Sequence, residues 1–175
     1  MPPTTPSQTA GPFFSIGLCE NPAASELVAP GSEGAVEIVG RVVDGAGEGV
    51  PDAMVEIWQA DTEGVFHDDF GWGRSGTDGV GEFRLVTTKP GSVTADDGRL
   101  QAPHVSVLVF ARGLLKPVFT RMYFPDETAV NERDPVLSGL TESDRAALTA
   151  LEEAAGRLRF DIRLQGERQT PFFVP

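Results

Sequence analysis

The sequence predicts a mainly β protein: an antiparallel β-sandwich with one short helix in its C-terminal half and an irregular N-terminal arm. Three features lead there. Short runs rich in β-branched and aromatic residues recur along the chain, punctuated by Gly, Pro and Asp turn signals. Residues 157–165 alternate strictly, with Leu158, Phe160, Ile162 and Leu164 on one side and charged or polar groups on the other. Only the stretch after Thr141 has convincing helical composition. Many strands with a single late helix suit a sandwich or barrel.

Residues 1–34 lack periodicity and are rich in Pro, Gly, Ser and Thr. Such a composition alone suggests disorder. Yet Gly11-Pro12-Phe13-Phe14-Ser15-Ile16 places bulky apolar groups inside it. Exposed Phe pairs are a liability, so the arm is expected to pack, either on its own domain or on a partner. The domain proper is expected over 35–175. Residues 36–44 and 53–60 read as strands joined by a Gly-rich turn at 44–49, together a hairpin or meander. Residues 65–81 read as a polar, Gly-rich loop holding His67, Asp68, Asp69, Trp72 and Arg74. Strands follow at 82–88, 104–111 and 118–124, with turn and loop over 89–98.

A helix is expected over 142–155, capped by Thr141 with Asp144 three residues on, and stopped by Gly156. Residues 157–165 then make a half-buried antiparallel strand. The tail, 171–175, is too apolar to float freely.

At 175 residues the chain is long enough for one domain with a real core. Its net charge of -12 argues against nucleic acid and against an anionic membrane surface. An anionic small molecule stays possible, because it needs only one or two local cations. No apolar run approaches a membrane span. The N-terminus lacks the basic-then-apolar order of a secretory signal, so a cytoplasmic location is expected. Cys19 is the only cysteine, which excludes an intrachain disulfide and a thiolate cluster; an inert thiol is expected. No P-loop, G-x-G-x-x-G unit or G-x-S-x-G elbow is present.

Chemistry has few places to live. Strand alternation puts His104 and Ser106 on one face, where a second His would complete a His-x-His metal clamp. One imidazole cannot hold a metal against water. His67-x-Asp69 with His104 is similar to the two-His-one-carboxylate set of non-haem Fe(II) oxygenases; a solvated loop is the plainer reading. Arg112 ends an apolar strand and so sits at a sheet rim. It is either an ordinary salt-bridged arginine or a fixed cation for a carboxylate. Trp58 and Trp72 read as packing residues. Tyr123 is the only tyrosine.

Several stretches taken together resemble one family. Residues 40–44 and 55–61 look like the early core of the intradiol ring-cleavage dioxygenases. Gln101-Ala102-Pro103-His104-Val105-Ser106-Val107, residues 110–115, Thr120-Arg121-Met122-Tyr123-Phe124 and residues 159–166 look like its later core. With residues 5–12 at the front, the resemblance spans nearly the whole chain. It implies a transthyretin-like sandwich.

Enzymes of that family hold a ferric ion with two tyrosines and two histidines, and open a catechol between its hydroxyl-bearing carbons with O2. Here the corresponding positions carry Phe66, a residue near Val93, His104 and Ser106, and Gln101 replaces an arginine. With one tyrosine in the chain, two tyrosinates cannot be supplied. The resemblance therefore implies a subunit that binds no iron itself and pairs with a homologous beta subunit that holds Fe(III). It further implies that Gly11, Pro12, Phe13 and Arg112 help to line the partner's pocket, where an aromatic carboxylate substrate meets O2. A non-catalytic binding module, or a self-contained Fe(II) oxygenase using His67, Asp69 and His104, are the alternatives.

Overall fold

The computed structural model of the chain describes residues 4–11 and 13–174. Two sheets face one another. The first is built on β1 (Ala35–Val43), which pairs antiparallel with β4 (Glu82–Thr88) along its length. On its other side β1 takes β10 (Arg157–Arg159) and β11 (Ile162–Arg163) in succession, both parallel, and β9 (Leu151–Ala154) lies outside β10. The second sheet runs β3 (Trp72–Gly76), β2 (Met54–Trp58), β7 (His104–Phe110) and β8 (Val118–Tyr123), antiparallel throughout. Beyond them β5 (Val93–Thr94) and β6 (Leu100–Gln101) form a short separate ribbon.

The core lies between the sheets. Ile38, Val42, Phe83, Leu85, Leu158, Phe160 and Ile162 meet Val55, Ile57, Val105, Val107, Val109 and Met122 there. Alternation explains the choice: each of these strands sends every second side chain inward, as the sequence pattern predicts. A buried polar bridge joins the sheets at one end. Thr87 Oγ1 donates to Gln59 Oε1 at 3.0 Å, and Gln59 Nε2 donates to the Thr88 carbonyl at 2.8 Å. The outward face of the first sheet carries charge instead. Glu37 is shared by Arg84 and Arg157, and Glu153 by Arg157 and Arg159. The two arginines hold the Glu37 carboxyl below its ordinary range, the Arg84 hydrogen bond having the largest part.

A smaller cluster of Ala102, Tyr123, Leu137 and Leu148 closes the outer face of the second sheet at one end. It is covered by α2 (Thr128–Asn131), a 3-10 turn at Leu137–Gly139 and α3 (Glu142–Leu148). Asp134 is fully buried beneath it. Its carboxylate accepts from Ala102 N, Val136 N, Leu137 N and Tyr123 Oη, so the charge is met by four donors.

The N-terminal segment closes one side of the sandwich. Leu27 N donates to the Val86 carbonyl of β4, while the 3-10 turn at Pro22–Ser25 lies against β3. Gly73 leaves room for this: a Cβ there would meet Leu27 Cδ1 at 2.4 Å. Strand β3 is thus an edge covered by the chain's own arm. Helix α1 (Phe13–Cys19) continues along it.

Several expectations need correction. Residues 36–44 and 53–60 are not a hairpin: they belong to opposite sheets, because β1 prefers β4 and the C-terminal strands as partners. The loop expected over 65–81 contains β3, whose small residues hid it; glycine weakens the strand signal but serves where backbone packs closely. The ribbon strand β5 lies within the loop expected over 89–98. The helix stops at Leu148, not 155, because Ala150 N donates to the Tyr123 carbonyl and residues 151–154 pair with β10. Tertiary pairing overrides helix propensity there. Gly156, at φ +73°, turns a hairpin and does not stop a helix.

The alternating stretch at 157–165 is half-buried as expected and pairs antiparallel with β9, but it runs parallel to β1 and is broken. At the break the Asp161 carboxylate accepts from Arg41 N at 3.0 Å. Gly40 sits opposite, where a Cβ would lie 1.9 Å from the Phe160 carbonyl oxygen.

Candidate functional site

The arm and the Arg112 loop are built into one rim. After β7 the chain turns at Gly113, whose φ of +89° only glycine adopts freely. Gly113 N donates to Thr9 Oγ1 at 2.7 Å, across 104 residues of sequence. Phe14, at the start of α1, packs on Phe110 with ring centroids 5.8 Å apart. Between arm and loop lies a cavity of about 620 Å³, lined by Thr9, Gly11, Phe13, Phe14, Leu18, Phe110, Leu114, Leu115 and Lys116, among others.

Arg112, next in sequence to the lining residue Ala111, is more than half exposed and pairs with Asp52 at 3.3 Å. Its charge is held loosely, as exposed pairs are. Phe13 is 82% exposed, Leu115 62% and Ile16 54%, so the rim presents an apolar face to solvent. Of the rim residues expected from the sequence, Gly11 and Phe13 line the cavity; Arg112 follows the lining residue Ala111 but does not itself line the cavity, and Pro12 lies outside the described residues.

Of the four positions that the resemblance assigns to iron, two lie on the second sheet, while Phe66 lies in a loop and Val93 in the ribbon. His104 and Ser106 share one face of β7. Ser106 sits opposite Trp58 on one side and Arg121 on the other. The Trp58 ring stacks on Phe66 with centroids 6.1 Å apart and planes nearly parallel, at 2°. Val93 pairs with Gln101, whose Oε1 accepts from Arg121 Nη1 at 3.3 Å. His104 is buried; its Nδ1 donates to the Ala102 carbonyl at 2.8 Å, which leaves Nε2 as the basic nitrogen. Burial, helped by the Arg121 charge, lowers its pKa to about 4, so the imidazole is neutral at neutral pH. Tyr123 is fully buried, and burial pushes its hydroxyl well above the ordinary tyrosine range.

Phenyl, isopropyl and hydroxymethyl side chains at three of four positions do not fit a ferric ion, which needs several anionic or imidazole donors. Among the described residues no group of three His, Cys, Asp or Glu side chains is placed to hold a metal. The Fe(II) reading is corrected by the same geometry. His67 Nε2 pairs with Asp61 Oδ2 at 2.6 Å on an exposed turn, and the shallow hollow it shares with Asp69 does not include His104.

A second hollow, of about 630 Å³, lies under the N-terminal segment and is lined by Arg74, Arg84, Arg157 and Arg159. Their guanidiniums are already engaged by Glu56, Glu26, Glu37, Glu153 and Asp161. Cys19 also faces it, and burial pushes its thiol up, as an inert cysteine requires. The rim is therefore the better placed of the two for an anionic ligand. Sequence reasoning passed over Thr9, Lys116 and Arg121. Only Arg121 left a signal: alternation with Tyr123 on a strand predicted to neighbour 104–111.

Comparison with known proteins agrees with this architecture. A family model described as "Dioxygenase" matches residues 11–166. The chain is 42% identical to the protocatechuate 3,4-dioxygenase alpha chain of Burkholderia cepacia, over 97% of this chain and 96% of that one. It is 31% identical to the beta chain of the same organism's enzyme, over 78% of this chain and 66% of that one. Among solved structures, the dioxygenase domain of a carbohydrate-binding fusion from Streptomyces sp. SirexAA-E superposes with a TM-score of 0.63 at 24% identity, covering 93% of this chain and 99% of that domain. The chain belongs to the intradiol ring-cleavage dioxygenase family.

Proposed function

We propose that this chain is the non-iron-binding alpha subunit of a protocatechuate 3,4-dioxygenase. The observation that carries the reading is the pairing of two facts. The chain matches alpha chains along its whole length, and its single tyrosine, Tyr123, is buried against Asp134. A homologous beta subunit holds Fe(III), and the two chains form a hetero-oligomer. The exposed face of Phe13, Ile16 and Leu115 docks on that partner, the arm of residues 1–34 serving the interface and 35–175 the scaffold.

In the assembled pocket the ferric centre supplies activation of the catechol toward O2. The reaction adds both oxygen atoms across the bond between the hydroxyl-bearing carbons and yields 3-carboxy-cis,cis-muconate. This chain's part is positioning. Arg112, preorganised at the end of a buried strand, meets the substrate carboxylate; Gly11, Pro12 and Phe13 bound the ring and exclude water. The Thr9–Gly113 hydrogen bond keeps arm and cation in one geometry.

The test is co-expression with the beta chain. Iron and tyrosinate-to-iron colour are expected only in the complex, and Arg112→Ala is expected to lower turnover of protocatechuate with iron content intact. Stoichiometric iron in the isolated chain would sink the proposal. Loss of iron on Arg112→Ala would make that arginine structural.

A further inference from the structure

Arg121 places a charge beside positions that the resemblance assigns to iron ligands. Register puts it directly opposite Ser106, with His104 and Tyr123 the next pair on the same face. Directly opposed strand residues have Cα atoms roughly 5 Å apart, so any ligand at position 106 would share space with this guanidinium. Its Nη1 reaches Gln101, the ribbon residue paired with Val93.

No carboxylate neutralises it. Like Arg41, Arg133, Arg145, Arg163 and Arg168, Arg121 enters no ion pair among the described residues; what sets it apart is that it stands opposite Ser106 and reaches Gln101. Asp134 is already met by its four donors, the Tyr123 hydroxyl among them. The side chain is half-buried, so its charge is poorly screened.

We infer that Arg121 is a resident cation that occupies the emptied ligand set and keeps metal ions out of it, so that replaced ligands and a placed charge together make this subunit metal-free. The inference rests on the reading of the chain as the metal-free subunit. A guanidinium stays protonated at every working pH, so the barrier is permanent. It predicts that restoring ligands alone is not enough. Ser106→His rebuilds a His-x-His pair on one strand face, yet a cation stays opposite it.

The experiment uses the untagged full chain, its fold checked by circular dichroism and melting, titrated calorimetrically with Ni(II). Ser106→His is expected to bind Ni(II) no better than the unmodified chain. Ser106→His with Arg121→Gln is expected to bind it about tenfold more tightly or better. Ser106→His with Arg121→Lys keeps the charge and is expected to stay metal-poor, which separates charge from shape. The inference is overturned if Ser106→His alone binds as tightly as the glutamine variant, if the lysine variant does so, or if the glutamine variant gains nothing. Stoichiometric iron in the unmodified chain would strike the underlying reading instead, and is read separately by metal analysis.

Discussion

Thr9 and Gly113 are joined by a 2.7 Å hydrogen bond that ties the first described residues of the chain to the loop carrying Arg112. The bond is exposed, so it adds little to global stability. Its value is geometric, because it sets the arm against the loop that carries Arg112. Thr9→Val keeps the shape and removes the acceptor. In the complex with the beta chain we expect kcat/KM for protocatechuate to fall by about threefold or more, with melting temperature and iron content unchanged. Unchanged kinetics would show that the arm holds its place without this contact.

His104 links stability to pH. Its folded pKa of about 4 lies below the ordinary 6.5, so the unfolded chain takes up a proton that the native chain refuses. That contribution is complete above pH 6.5 and is lost as pH falls from 6.5 toward 4, amounting to about 3 kcal/mol at most. Denaturant melts at pH 7 and pH 4.5 should show a steeper acid loss in the native chain than in His104→Gln. Equal slopes would mean that the imidazole titrates in the fold as it does in the unfolded chain.

Asp134 is the polar keystone of the smaller cluster. Asp134→Ala leaves three backbone amides and the Tyr123 hydroxyl without their acceptor in a buried site. A loss of about 3 kcal/mol or more in chemical denaturation is expected. Asp134→Asn retains one acceptor oxygen and should fall between the two.

Gly40 tolerates no side chain. An added Cβ would overlap the Phe160 carbonyl oxygen at 1.9 Å, and both partners are backbone. Gly40→Ala is expected to cost about 3 kcal/mol or more, or to abolish soluble expression. Gly47→Ala serves as control: it sits at φ +85° in open space, and should cost about 1 kcal/mol from backbone strain alone.

Local chemistry was readable in advance; partners across space were not. Alternation located β1, β2, β4, β7 and β8, because one face of each is dry and period-two patterning follows from that. The same rule showed the inward set Leu158, Phe160 and Ile162 correctly. It could not reveal that this stretch lies parallel to β1, since burial on one face is blind to strand direction. Strand β3 was missed because Gly73 and Gly76 serve close approach of the arm and so carry no hydrophobic signal. Residues 151–154 looked helical by composition and became a strand through pairing with β10.

At the rim, Arg112 was legible as a charge at a strand end, but its tie to Thr9 spans too much sequence for any local pattern. Arg121 was hidden for a different reason. An arginine on an outward face reads as solvated, and only the register opposite Ser106 shows what surrounds it.

The parallel seating of β10 and β11 on β1 bears on how the molecule comes into being. The pairing joins residues 120 apart in sequence. A nascent chain halted before Arg157 would hold β1 against β4 but leave its other edge bare, an open template for other strands. Maturation is therefore gated by the arrival of residues 157–163, and truncation before them should favour aggregation over a smaller folded product.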